Sequence, residues 1–150
     1  MNINEQIKPT GKLRVVQTNS KGETVQDFEV PNLIVTTGKQ YIASKMVATT
    51  NSPVSMGYMA IGTSSTTPTA ADTQLGTEGG RVALTASTVS SNTITYTATF
   101  GAGTGTGAVT EAGIFNAYPT GGTMLCHTTF PAVNKASGDT IAITWVVTVS

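Results

Sequence analysis

Charge is scarce in this chain. Its 150 residues carry 8 basic and 8 acidic side chains, a formal net charge of zero and a charged fraction of 11%, where about 25% is usual in soluble domains. Balanced, sparse charge without a basic run lacks the electrostatic footprint of a nucleic-acid binder. The chain has one cysteine, Cys126, so no internal disulfide can form. With one histidine, His127, it cannot build a Cys/His zinc site by itself. Apolar runs are a few residues long, far short of the ~18 needed to span a bilayer. Met1 to Thr10 contains no apolar stretch of the kind a secretory signal carries. The expectation is a soluble chain made inside the cell, with no cofactor, no metal, and neither nucleic acid nor membrane as a partner.

Hydroxyl groups stand in for charge. There are 29 Thr and 11 Ser, with 16 Gly beside them, so polarity comes from short side chains that suit strands and turns. Ten of the 16 charges fall in the first 50 residues, which makes the N-terminal third the more water-facing piece. The length fits one domain able to bury a core without staples. Near-zero net charge favours association over colloidal repulsion, a first pointer to an assembly component.

Hydrophobic periodicity is mostly that of strands. Residues 11–19 and 23–30 alternate, and Ser20-Lys21-Gly22 between them reads as a tight hairpin connection. Asn32 to Val35 reads as a short apolar strand after Pro31. A helix follows, capped by Thr37, with Tyr41, Ile42, Lys45 and Met46 on one stripe and an end near Val47. Met56–Ile61 reads as a buried strand, and Thr69 with Asp72 three residues on marks a short helical turn reaching Leu75. Beyond it the expected strands are Arg81–Thr88, Thr93–Phe100, Val109–Ala117, Thr123–Phe130 and Thr140–Val149. Two show a clear period of two: Ile94, Tyr96, Ala98 and Phe100 in one, and Ile141, Ile143, Trp145, Val147 and Val149 in the other. Some eight short strands at this spacing predict an all-β fold. The expected form is a two-sheet β-sandwich or jelly-roll-like domain over 11–150, with one or two short helices and an N-terminal arm over 1–10.

Few residues offer chemistry. His127 follows Cys126 on a strand, and adjacent strand side chains point to opposite faces, so a Cys–His catalytic pair is not expected. Glu111 interrupts the apolar run Val109 to Phe115, and its charge needs a partner. Arg81 is the only arginine in the body; with Glu111 and Glu78 it forms the candidate structural ion pair. The Gly101 to Gly107 stretch fails the dinucleotide fingerprint, because Thr106 stands where glycine is required and no helix follows. It reads as a strand connection. Tyr118 and Tyr58 are candidate exposed aromatics, whereas Trp145 falls in phase with the apolar face and belongs to the core. No catalytic, cofactor-binding or metal-ligating set emerges.

The order of several stretches resembles a family of small virion proteins of tailed bacteriophages. They are Asn32-Leu33-Ile34-Val35-Thr36-Thr37-Gly38, Met59-Ala60-Ile61-Gly62-Thr63, the run from Thr66 to Glu78 with Arg81, Glu111-Ala112-Gly113-Ile114-Phe115, Gly121 to Leu125, and the closing Thr140–Val149 strand. The resemblance covers most of residues 30–150. It implies a β-rich protein without enzymatic activity, found as a head decoration (cement) protein or in tail and fibre parts. The absence of heptads and internal repeats speaks against a fibre shaft and for decoration. In that role Met1, Asn2, Ile3, Asn4, Glu5, Gln6 and Ile7 are candidates for a capsid-contact arm. The major capsid protein and neighbouring copies, in a dimer or trimer, would be the partners, and the phage head surface the location. The alternative is a tail-tip or fibre module that recognises a host receptor through the Gly-rich loop and Tyr118. An enzyme using Glu78 and Glu111 as acid and base is the least supported option.

Overall fold

The computed structural model describes residues 1, 5–47 and 52–150. Strands β1 (Pro9–Thr18) and β2 (Thr24–Ile34) form the N-terminal hairpin. Asn19 fixes its turn: the side-chain oxygen accepts from the backbone N–H groups of Lys21 and Glu23, an Asx-type closure. Alternation turns Leu13, Val15 and Gln17 inward and leaves Lys12 and Arg14 exposed. On that outer face Arg14 donates twice to Asp27, at 2.8 and 2.6 Å, and Lys12 reaches Glu29 at 3.4 Å. Four of the ten charges near the N-terminus thus sit in exposed cross-strand pairs, which solvent screens and which add little to stability.

β1 pairs along its length with β9 (Thr140–Val149), which pairs with β6 (Thr93–Phe100), and β6 with β5 (Ala86–Ser90). The two strongly alternating segments therefore lie side by side. Phe100, Ala98, Tyr96 and Ile94 stand opposite Ile141, Ile143, Trp145 and Val147. Leu13 and Val15 stand opposite Trp145 and Ile143 on the other flank. The result is one apolar face three strands wide.

β2 then changes partner. Residues up to Asn32 pair with β1, while Leu33 and Ile34 pair with β8 (Met124–Lys135). From β8 the sheet continues through β7 (Gly107–Phe115) and β3 (Tyr58–Gly62) to β4 (Glu78–Ala83). The nine strands among the described residues are antiparallel neighbours in the order β4-β3-β7-β8-β2-β1-β9-β6-β5. The class is all-β, as expected, and among the described residues the strands form a curled, open half-barrel sheet accompanied by one helix. The main core fills its concave side, drawing Met59, Ile61, Ile114 and Val133 from one half and Leu13, Val15, Phe100 and Trp145 from the other. A smaller cluster of Val35, Ala60, Leu75, Phe115 and Met124 gathers a second set of buried side chains from β3, β7 and β8 and the segments beside them. Consequently Met59–Gly62 and Glu111–Phe115 are buried without alternation.

Three local expectations change. The strand expected over Arg81–Thr88 is two strands, β4 and β5, which end at opposite edges of the sheet. Leu84 N–H donates to Gly57 in one half and Thr85 N–H to Thr97 in the other, so two residues carry the chain across. The helix, α1 (Thr36–Ser44), starts two residues earlier than a Thr37 cap allows; Val35 is its N-cap and no side chain caps it. Thr37 donates its hydroxyl to the Met124 carbonyl at 2.9 Å, binding helix to sheet. Gly38 makes this approach possible, because a Cβ there would collide with the Leu125 carbonyl. Thr69 and Asp72 close a turn that does not propagate into a helix. Asp72 accepts from the Thr69 N–H at 2.9 Å and from its hydroxyl at 2.7 Å.

Candidate functional site

The densest polar cluster sits where β7 and β8 meet the loop from Thr63 to Thr77. Glu111 on β7 is fully buried. Its Oε1 accepts from the backbone N–H groups of Ser64 at 3.2 Å and Thr77 at 2.8 Å, and its Oε2 from Gly76 N–H at 2.9 Å. Gly62 permits this approach, since a Cβ there would collide with both the Thr77 carbonyl and Glu111 Oε1. His127 on β8 completes the cluster: Nε2 lies 2.9 Å from Glu111 Oε2, and Nδ1 lies 2.7 Å from Asp72 Oδ2.

A neutral imidazole has one N–H and one acceptor nitrogen, whereas two ionised carboxylates both require donors. The arrangement is satisfied when the ring donates from both nitrogens, or when one carboxyl holds the proton. Burial pushes the Asp72 carboxyl upward, but the Thr69 N–H and hydroxyl and the His127 ring outweigh it, so its pKa lies below the ordinary 3.8. Both ring nitrogens are consumed by carboxylates, which leaves neither for a substrate proton or a nucleophile. The two carboxylates lie on opposite sides of the ring and do not converge. Among the described residues, no group of three or more His, Cys, Asp or Glu is placed to hold a metal. Chemically the cluster is a clamp that fastens a Thr-rich loop to the sheet.

Arg81 does not pair with Glu111. It lies in β4, and its Nε and Nη2 donate to the two oxygens of Glu78 at 2.8 Å each. Nη1 donates to the carbonyls of Ala117 at 2.8 Å and Gly121 at 3.0 Å, and the guanidinium sits 3.9 Å from the centroid of the Phe115 ring. The expected three-residue ion pair is therefore split. Arg81 and Glu78 organise the 117–121 turn, while Glu111 belongs to the histidine clamp. The physical reason is strand order: β3 stands between β4 and β7, with Arg81 opposite Ala60 and Glu111 opposite Gly62, whereas β8 lies directly beside β7 and brings His127 to Glu111. Sequence reading singled out Glu111 and His127 separately, and the Thr69–Asp72 spacing too. What it missed was that they form one cluster.

The remaining candidates fall elsewhere. Cys126 is buried in the main core, facing away from His127, and burial pushes its thiol pKa well up. Trp145 is fully buried. The Gly-rich connection is tied down by Lys135, whose ammonium donates to the Gly101 carbonyl at 2.9 Å, and by Gly103 N–H donating to Ser137. Burial pushes the Lys135 pKa down, partly offset by Asp139. Tyr118 is exposed and stacks on Tyr58 with centroids 5.5 Å apart.

Of the arm candidates, Asn2, Ile3 and Asn4 lie outside the described residues. Glu5, Gln6 and Ile7 are exposed, whereas Lys8 exchanges backbone hydrogen bonds with Ser150 and β1 begins at Pro9. The last three residues assigned to the arm are thus part of the sheet or stitched to its end. No helix among the described residues is long and apolar enough to cross a membrane. Compared with protein-family models, with curated proteins and with solved structures, the chain matches none.

Proposed function

We propose that this chain is a non-enzymatic structural protein of a tailed-phage virion, a head decoration protein that binds the assembled capsid lattice and stabilises it. The observation that carries the reading is the free edge of β5. All five residues from Ala86 to Ser90 are exposed, none is charged, and none is proline. Edge strands in proteins that stay monomeric are blunted by lysines, prolines, bulges or covers. This one is bare, in a chain of zero net charge, and is suited to adding a strand from a neighbour. The resemblance in segment order to small virion proteins supports the same class. In this reading the curled sheet serves as a two-layered sandwich, its two halves joined at β2 and at the β4–β5 step.

Mechanism follows from linkage. A protein that contacts only the assembled lattice stabilises that state by mass action, and many copies on one shell add avidity. The contacts would be hydroxyls, backbone and small apolar patches, with the arm shortened to residues 1–7 as a further contact. The test is co-sedimentation with empty, expanded heads assembled without this chain, set beside adsorption to host cells. Saturable binding at a fixed ratio to capsid subunits, with a higher head melting temperature, is the expected result. Adsorption to cells without head binding would transfer the protein to the tail tip or fibre, the second reading, which the exposed Tyr118 favours.

A further inference from the structure

A pocket of about 680 Å³ opens between the Thr73–Leu75 segment, β4 and the Tyr118–Gly122 turn, within the ~300–1,000 Å³ typical of small-molecule sites. Its floor is the Arg81–Glu78 pair. The Arg81 side chain is 3% exposed, and four of its hydrogen bonds go to Glu78, Ala117 and Gly121. The cation is thereby spent inside the protein. The Glu78 side chain is 25% exposed, so the charged group that faces the pocket is a carboxylate with lone pairs to spare.

One wall is Tyr118, 61% exposed, with its ring supported on Tyr58. Backbone lies bare along the pocket at Gly79 and Gly121. A Cβ at Gly79 would meet nothing nearer than the Ile61 carbonyl at 3.7 Å, and one at Gly121 nothing within 4 Å. Thr73 and Gln74 add neutral polar groups.

These features select a ligand class. An anion would meet Glu78 with no free cation among the described lining residues, and a cation would compete with Arg81 for the same carboxylate. A neutral ring bearing several hydroxyl donors and one apolar face fits both halves of the site: hydroxyls on Glu78 and bare backbone, C–H face on Tyr118. We propose that this pocket is a binding site for a neutral hexopyranoside. The proposal does not depend on whether the chain sits on head or tail.

The test is an amide NMR titration of the whole chain with methyl α-D-glucopyranoside, methyl α-D-mannopyranoside, methyl β-D-galactopyranoside and N-acetylglucosamine, with N-acetylneuraminic acid as the anionic comparison. The expected result is saturable shifts at Gly79, Gly80, Gly121 and Gly122 with at least one neutral sugar. Tyr118→Ala should weaken that binding by about fivefold to tenfold, the size of one aromatic stacking contact. Gly79→Leu should abolish it by filling the space. Both variants alter exposed positions, and well-dispersed spectra verify their folding, so either one decides if the other fails. No saturable shift with any neutral sugar, binding unaffected by both variants, or equally tight binding of N-acetylneuraminic acid would each overturn the proposal.

Discussion

Glu111 and His127 are diagonal neighbours across the β7–β8 ladder, with Glu111 opposite Thr129 and His127 opposite Gly113, and Nε2 meets Oε2 at 2.9 Å. This contact joins the sheet to the Thr63–Thr77 loop, because the same carboxylate receives three backbone N–H groups from that loop. A buried carboxylate is expensive unless every lone pair is used, and here the loop supplies the donors. Fold and clamp therefore stabilise each other.

Glu111→Ala would leave those three N–H groups and the His127 ring without their acceptor. Removing one partner of a buried charged network costs about 3–5 kcal/mol. The expected outcome is a large fall in melting temperature and early proteolysis between Thr63 and Thr77, read by calorimetry and limited digestion with mass spectrometry. A variant as stable as the parent would show that the loop is held by other means.

Asp72 gives the clamp a pH dependence of definite sign. Its native pKa lies below the ordinary 3.8, so the unfolded chain takes up this proton first as pH falls. The stabilisation is fully present above the ordinary value and is lost progressively as pH drops through it toward the native one. Urea midpoints measured on either side of that window should fall with acid in the parent and fall less steeply in Asp72→Asn. Parallel curves would remove Asp72 from the account.

Gly38→Ala runs against helix propensity. Alanine is better than glycine in a helix interior by roughly 1 kcal/mol, yet a Cβ at this position collides with the Leu125 carbonyl. Displacing α1 from β8 is an overpacking error of ~1–3 kcal/mol. The substitution should destabilise, and denaturant titration followed by Trp145 fluorescence would show a lower midpoint. A higher midpoint would mean that the helix shifts without cost.

Val89→Lys tests the β5 edge. Val89 is 72% exposed on an unprotected strand, and a lysine there is the usual guard against edge pairing. Self-association measured by sedimentation velocity should weaken while the melting temperature changes little. Unaltered association would place the contact elsewhere on the surface.

Much of the fold was legible in the amino-acid order. Strands Thr93–Phe100 and Thr140–Val149 match the expected limits, because one face of each is apolar and the other meets solvent. The hairpin between β1 and β2 was equally plain from its alternation and turn residues. Strands were also expected over Met56–Ile61 and Val109–Ala117, and β3 and β7 lie there with limits shifted by one or two residues; burial on both faces leaves no period of two to mark their ends. Legibility failed between Arg81 and Thr88, where a continuous apolar pattern conceals a step from one half of the sheet to the other.

The sequence by itself determined that this is an all-β chain of low charge, rich in threonine, with its alternating strands joined by short polar turns. Those properties follow from local periodicity and composition, which act over a few residues. The tertiary structure alone decided that Glu111 answers to His127 and Asp72 rather than Arg81, and that Arg81 with Glu78 forms the floor of a pocket beside Tyr118. Strand order sets those distances, because β3 stands between β4 and β7 while β8 lies directly beside β7. A one-residue shift in register carries a side chain to the opposite face, and that shift is fixed by the packing of the whole sheet rather than by any segment of it.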